Sequence, residues 1–267
     1  MTSPDAPRPP APRPPASWDP LGPGLVVAID GPSGSGKSSV SRQVAARLGL
    51  AYLDTGAMYR ALAWWCADQG VDLSDTVAVA ATARDLPLQM GTDPESPAVL
   101  VAGRDIAEAI RTSAISTVVS QVATNLDVRA ELVARQRRHV QEAARGAGIV
   151  AEGRDITTVV APDADVRVLL VASEDARLRR RARQLHGDGG LAQVDQMRDE
   201  VVRRDRDDST VATFLQPADG VTLLDTSALD VDESVAAVLA LVAAAAGRTL
   251  DAEPANGRES AGPRDVR

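Results

Sequence analysis

Leu25-Val-Val-Ala-Ile-Asp30 is a continuous apolar run that breaks into a glycine-rich turn. Such a run, with no polar alternation, predicts a parallel strand buried on both faces. Similar patterns predict strands at Ile149 to Glu152, Val166 to Val171 and Val221 to Leu224, with a shorter one at Ala51 to Leu53. Between them the apolar positions change to helical spacing. Helices are predicted at Ser38 to Leu48 with Gly49 as the stop, Met58 to Gln69, Ser113 to Leu126, Val128 to Arg145, Ala176 to Gln184, Leu191 to Asp205 and Val231 to Ala246. Strands alternating with helices, with a glycine loop after the first strand, predict an α/β fold built on a doubly wound parallel sheet. One stretch departs from this rhythm. Leu86 to Gln89 and Val99 to Val101 flank Gly91-Thr-Asp-Pro-Glu-Ser-Pro97 and predict an antiparallel hairpin inserted into the parallel core.

The ends differ in kind from the middle. Met1 to Pro23 is dominated by proline and alanine, and Arg248 to Arg267 is polar and aperiodic. Neither can offset the entropy of ordering by burying a face, so both are expected to be disordered tails around a folded unit of residues 24–247.

Charge and rare residues narrow the function. The net charge of −8 and a sequence pI near 4.9 argue against non-specific binding to nucleic acid or an anionic membrane. The single cysteine, Cys66, cannot form an intramolecular disulfide, and two histidines, His139 and His186, are a poor basis for a zinc hydrolase. No apolar stretch reaches the length of a transmembrane helix, and the first residues lack the apolar core of a secretory signal. The expected location is cytoplasmic.

The only lysine in an otherwise arginine-based chain is Lys37, and it lies in Gly31-Pro-Ser-Gly-Ser-Gly-Lys-Ser38. This segment matches G-x-x-x-x-G-K-[ST], with a strand before it and a helix after it, as a phosphate loop requires. Glycines at 31, 34 and 36 allow the backbone of Pro32, Ser33 and Ser35 to wrap so that successive N–H groups face phosphate oxygens. The N-terminus of the following helix, where Ser39 lies, adds partial positive charge. Lys37 supplies a compact charge that an arginine fork does not imitate, and Ser38 offers its hydroxyl to the Mg²⁺ that accompanies ATP. With no second lysine, the Asn-Lys-x-Asp guanine reader of GTPases is excluded. The Leu-Ser-Gly-Gly of ABC-type ATPases is absent, and Val166 to Val171 runs into Ala172-Ser173 rather than an acidic terminus. Small-molecule kinases remain.

Several further segments lie in a fixed order. They are Leu53-Asp-Thr-Gly-Ala-Met-Tyr-Arg60, Gly103-Arg-Asp-Ile-Ala-Glu-Ala-Ile-Arg-Thr112, Ser116-Thr-Val-Val-Ser-Gln-Val-Ala123, Val128-Arg129, Glu152-Gly-Arg-Asp-Ile-Thr-Thr-Val-Val160 and Arg203-Arg-Asp-Arg-Asp-Asp-Ser209. Together with the phosphate loop, this series closely resembles the bacterial cytidylate kinases, a family of nucleoside monophosphate kinases, over about Val26 to Val242. The resemblance implies a monophosphate-binding insert at about 56–126 and a helical, arginine-rich lid at about 174–216. It implies transfer of the ATP γ-phosphoryl group to CMP or dCMP by a monomer. By matching position, Thr55, Tyr59, Arg60 and Arg154 would hold the CMP phosphate. Ser120, Arg129 and Asp155 would address the base and sugar, and Arg204 and Asp208 would act from the lid. Lys37, Arg154 and Arg204 would be the catalytic cations. No protein base is required, because the acceptor is already an anionic phosphate oxygen, and the chemistry reduces to positioning and electrostatics.

One position departs from the family pattern: an arginine expected two residues after Ser209 is replaced by Val211. Arg203 and Arg206 are the candidates to replace it. Glu152 has two readings, orienting a Mg²⁺-bound water or pairing with an arginine. Asp155 also has two, reading the base with Arg129 or holding Arg154 in place. Trp64-Trp65 and Cys66 read as packing. Two rival functions stay open: a kinase acting on another monophosphate such as UMP or AMP, and a regulatory nucleotide-binding protein without catalysis.

Overall fold

A computed structural model describes residues 24–186, 203, 205–212 and 214–251. The predicted tail Met1 to Pro23, most of the predicted helix Leu191 to Asp205, and Arg204 lie outside the described residues.

Five parallel strands form the core in the order β2-β6-β1-β7-β8. They are β1 (Leu25–Asp30), β2 (Ala51–Asp54), β6 (Gly148–Gly153), β7 (Val166–Val171) and β8 (Thr222–Asp225). Every residue of β1 and β6 is buried, which is why their sequences are continuously apolar. On one face of the sheet, Val27 and Ile29 of β1 pack with Val168 and Leu170 of β7 beneath α1 (Lys37–Leu48) and α7 (Val231–Asp251). On the other, Val26, Ala28, Ile149 and Ala151 pack under Val140 of α5 (Leu126–Ala143) and under Ile156 and Val160.

Chain order places the site. β1 leads through α1 to β2, which does not pair with β1 but with the far side of β6. The connections from the two sides of β1 therefore diverge at its carboxyl end. A crevice opens at such a switch point, and the phosphate loop stands in it.

The insert carries its own apolar core, made by α2 (Thr55–Asp68), α3 (Thr76–Arg84), α4 (Ser113–Ala123) and α5 with a small antiparallel sheet. That sheet has the order β3-β4-β5, from Leu88–Met90, Val99–Val101 and Arg104–Asp105. Trp64, Trp65 and the fully buried Cys66 belong to this core, as their spacing predicts. Burial pushes the Cys66 thiol up to about 11, which makes it a packing residue rather than a nucleophile.

Three elements differ from the sequence expectation. Thr76–Arg84 is a helix that the pattern did not announce; it is capped by the Asp75 carboxylate, which accepts from the Val77 and Ala78 N–H groups at 3.1 and 3.0 Å. β5 adds a third strand to the expected hairpin. α7 continues through Gly247 to Asp251, beyond the expected start of the C-terminal tail. A mid-helix glycine costs only about 1 kcal/mol relative to alanine, and no proline follows it within the helix.

Candidate functional site

The phosphate loop folds as its glycines require. A Cβ on Gly31 would lie 2.2 Å from the Leu170 carbonyl oxygen, and Gly34 and Gly36 have φ of 76° and 94°. Lys37 opens α1, and its Nζ donates to the Pro32 carbonyl at 3.3 Å. Ser38 follows it into the cleft, while Ser39 is exposed on the first turn. From the opposite side, two arginines of α6 (Glu174–His186) hold the loop's carbonyls. Arg177 donates to Ser33 O at 3.0 Å and Arg180 to Ser35 O at 2.8 Å. Arg180 also reaches Leu229 O at 3.1 Å, so it ties the loop to the segment after β8.

The carboxyl ends of β2 and β6 bring carboxylates to the same place. Asp54 caps α2 by accepting from Ala57 N at 2.9 Å and pairs with Arg60 at 2.7 Å. Burial acts to raise its carboxyl, but Arg60, Arg111, the Ala57 N–H and Lys37 together hold it below the usual value. Glu152 is buried beside it and accepts from the Tyr52 hydroxyl at 2.9 Å. Burial and the neighbouring Asp54 push its carboxyl up, against the pull of Lys37, Ser38 and Tyr52. Among the described residues no arginine pairs with Glu152: its side-chain neighbours are Tyr52, Ser38, Lys37 and Asp54. The Thr55 hydroxyl donates to the Glu152 carbonyl at 2.8 Å.

After β6 the chain makes Arg154, Asp155 and then a π-helical turn, Ile156–Val160. Asp30, at the end of β1, fixes that turn. Its carboxylate accepts from Ile156 N at 2.9 Å, Thr157 N at 2.8 Å and the Thr157 hydroxyl at 2.6 Å. Burial nevertheless raises the Asp30 carboxyl to about 6. With the turn fixed, Arg154 and Asp155 point to different partners. Asp155 pairs with Arg129 of α5, and burial raises its carboxyl despite that arginine. Arg154 stacks on Phe214 at 4.5 Å, donates from Nη1 to Asp205 at 2.8 Å and pairs through Nε with Asp208 at 3.0 Å. Ser120 Oγ donates to Asp208 at 3.4 Å.

These side chains line one cleft. Lys37, Ser38, Asp54, Thr55, Tyr59, Arg60, Arg129, Glu152, Arg154, Asp155 and Asp208 all face it. A second hollow of about 230 Å³ lies elsewhere, over Met58, Leu88 and Met90. Its Arg135 is spent on the carbonyls of Ala83, Arg84 and Leu86 at the end of α3, so that hollow lacks the convergent chemistry of the cleft.

A family model described as cytidylate kinase matches residues 27–244. Cytidylate kinases of Cutibacterium acnes, Rhodococcus opacus and Streptomyces avermitilis are 51%, 48% and 45% identical to the chain. The alignments cover 82%, 84% and 82% of it and 96%, 96% and 93% of those proteins. The chain belongs to the cytidylate kinase family. Its activity is that of the family, phosphorylation of CMP and dCMP by ATP.

In this cytidylate kinase the cleft unites residues far apart in sequence, since Lys37 and Asp208 both line it. Arg204 lies outside the described residues. Of the candidates for the arginine missing at Val211, Arg206 has a side chain 76% exposed and lies 3.9 Å from Asp207, and Arg203 is exposed as well. Sequence reasoning missed Asp30, Asp54, Arg177, Arg180 and Asp205. Asp54 had a signal, since an acidic residue directly before a helix is an N-cap. The arginines and Asp205 had none beyond a charged run. No helix among the described residues is long and apolar enough to cross a membrane.

Proposed function

We propose that the phosphate loop and Lys37 hold the ATP β- and γ-phosphates, and that CMP or dCMP lies between Arg60 and the Arg129–Asp155 pair. In this reading Arg60, Arg154, Thr55 and Tyr59 surround the acceptor phosphate. Arg204 is a further cation on the transferring group. Arg154 has Nε and Nη1 engaged with Asp208 and Asp205, and its Nη2 has no partner among the described residues. That Nη2 donates to phosphate. A CMP phosphate oxygen attacks the γ-phosphorus, the bond to the β-phosphate oxygen breaks, and ADP leaves. The cations neutralise the charge spread over the equatorial oxygens.

The residues also fit the Mg²⁺ that ATP carries. The Ser38 hydroxyl faces the cleft, beside two buried carboxylates, Asp54 and Glu152, whose mutual repulsion a cation relieves. Ser38 would hold the ion with the nucleotide's phosphates, and Glu152 would accept hydrogen bonds from its water ligands. Bound there, the ion would help neutralise the negative charge of the phosphates during transfer.

The observation that carries the base assignment is the Arg129–Asp155 contact. Cytosine presents an N4 donor next to the N3 and O2 acceptors, which suits one carboxylate beside one guanidinium. Phosphoryl transfer from ATP to CMP, dCMP, UMP, AMP and GMP, followed as ADP formation, tests it. CMP and dCMP should lead UMP by a large factor. Equal use of UMP would overturn the base assignment. No ADP formation with any acceptor would favour the non-catalytic rival.

A further inference from the structure

Asp205 joins the phosphate loop, Arg154 just beyond β6, and Arg177 of α6. Its Oδ1 accepts from the Ser33 N–H at 3.0 Å and from Arg154 Nη1 at 2.8 Å, and its Oδ2 accepts from Arg177 Nη1. The same Arg177 Nη1 reaches Ser33 O at 3.0 Å, which closes a ring through Ser33, Asp205 and Arg177. Asp205 is only 6% exposed. Burial acts to raise its carboxyl, but Arg154, the Ser33 N–H and Arg177 outweigh it and keep the group ionised across the neutral range.

The arrangement has a clear electrostatic logic. Arg154 and Arg177 both lie within hydrogen-bond reach of one carboxylate, so without it two partly buried guanidinium groups would repel each other across a few ångströms. With it, each is held on one side. Arg154 is fixed further by Asp208 and by the ring of Phe214. A guanidinium held this way presents its remaining N–H groups in one direction, with little reorganisation left for the transition state.

We infer that Asp205 is a positioning residue for phosphoryl transfer. It registers Arg154 and Arg177 against the backbone of the phosphate loop, and its carboxylate does not touch the transferring group. This rests on the reading above that Arg154 donates to phosphate. The alternative is a placeholder: a carboxylate occupying loop and arginine donors that the nucleotide must displace. The two make opposite predictions. A positioning carboxylate matters in the transition state, so its loss lowers kcat. A placeholder competes with ATP, so its loss tightens ATP binding.

Asp205→Asn is the test, made in the full chain. The amide keeps one acceptor for Ser33 and Arg154, but it turns a donor toward Arg177 and removes the charge. The expected result is a kcat lower by about 10- to 100-fold, the size of effect that a small misplacement of reacting groups produces. KM for CMP and for ATP should stay within about threefold of the parent values. Because Asp205 acts through Arg177, combining Asp205→Asn with Arg177→Ala should cost little more than the worse single change. Equilibrium binding of ATP and a melting curve accompany each variant. A kcat within threefold of the parent, ATP binding tightened by more than tenfold, or fully additive losses would each overturn the inference. Arg154→Ala is the control on the reading beneath it. If that variant is also silent, the assignment of Arg154 to phosphate fails first. If it is severe while Asp205→Asn is silent, only the role of Asp205 fails.

Discussion

The carboxylate of Asp155 meets the guanidinium of Arg129, not that of its chain neighbour Arg154. Arg154 is oriented instead by Asp205 and Asp208. The two readings that the sequence leaves open for Asp155 are thereby separated: it has no contact through which to hold Arg154.

Asp155→Asn should therefore change selectivity more than it changes the chemistry. The amide can donate to O4 of uracil, where the carboxylate faces an acceptor. We expect CMP turnover to fall and the CMP/UMP ratio of kcat/KM to narrow at least tenfold, since sites built on such hydrogen bonds discriminate by roughly 10⁴ or more. Equal losses for both substrates would remove Asp155 from base recognition.

Lys37→Ala should lower kcat by about 10² or more, because it removes a fixed cation from the transferring phosphoryl group. Its Nζ contacts the Pro32 carbonyl at 3.3 Å from a loop that is only partly buried, so the melting temperature should move little. A folded variant with near-normal kcat would contradict the phosphate-loop assignment.

Arg180→Ala should act on stability and ATP together. The guanidinium joins Ser35 O, the Thr226 hydroxyl and Leu229 O, at 2.8, 3.1 and 3.1 Å. Hydrogen bonds to charged groups are worth about 1.5–3 kcal/mol each in net stability, and losing several at once should lower the unfolding free energy by at least that much. KM for ATP should rise while KM for CMP holds. If KM for CMP rises equally, Arg180 supports the whole cleft rather than the loop.

Asp30 predicts a pH dependence of unusual sign for a carboxylate. Its pKa rises from 3.8 to about 6 on folding, with burial as the largest cause. The fold thus favours the protonated form. The stability this contributes is fully present below about pH 4 and is lost as pH rises through about 6, a loss on the order of 3 kcal/mol. Asp54 and Asp205, with lowered values, act in the opposite direction, so the comparison must be a difference. Unfolding free energies of the parent and Asp30→Asn, measured from pH 4 to 7.5, should show the parent losing ground to the variant as pH rises. A constant difference would mean that the carboxyl is not raised.

The parallel sheet was legible because burial on both faces leaves its central strands mostly apolar, and β1, β6 and β7 lie where the pattern puts them. Thr76–Arg84 was not. Its Val77 and Val79 alternate with alanine, and Val77 is 77% exposed, so no helical stripe shows. The phosphate loop and the Asp155–Arg129 pair were also legible, the loop from its glycines and lysine, the pair from the family resemblance. The Asp205 ring was not legible, since its members Ser33, Arg177 and Asp205 meet only through tertiary packing, 172 residues apart at the widest. A charged run reveals that arginines are present but not which carbonyls they will find.

The grip of α6 on the phosphate loop also changes the electronics of the loop itself. Ser33 O and Gly34 N belong to one peptide unit, as do Ser35 O and Gly36 N. A full positive charge hydrogen-bonded to each carbonyl draws electron density along the conjugated amide, so the N–H at its other end becomes the more acidic partner. Arg177 and Arg180 thus touch no phosphate through these contacts, yet they strengthen the Gly34 and Gly36 donors by induction through the backbone.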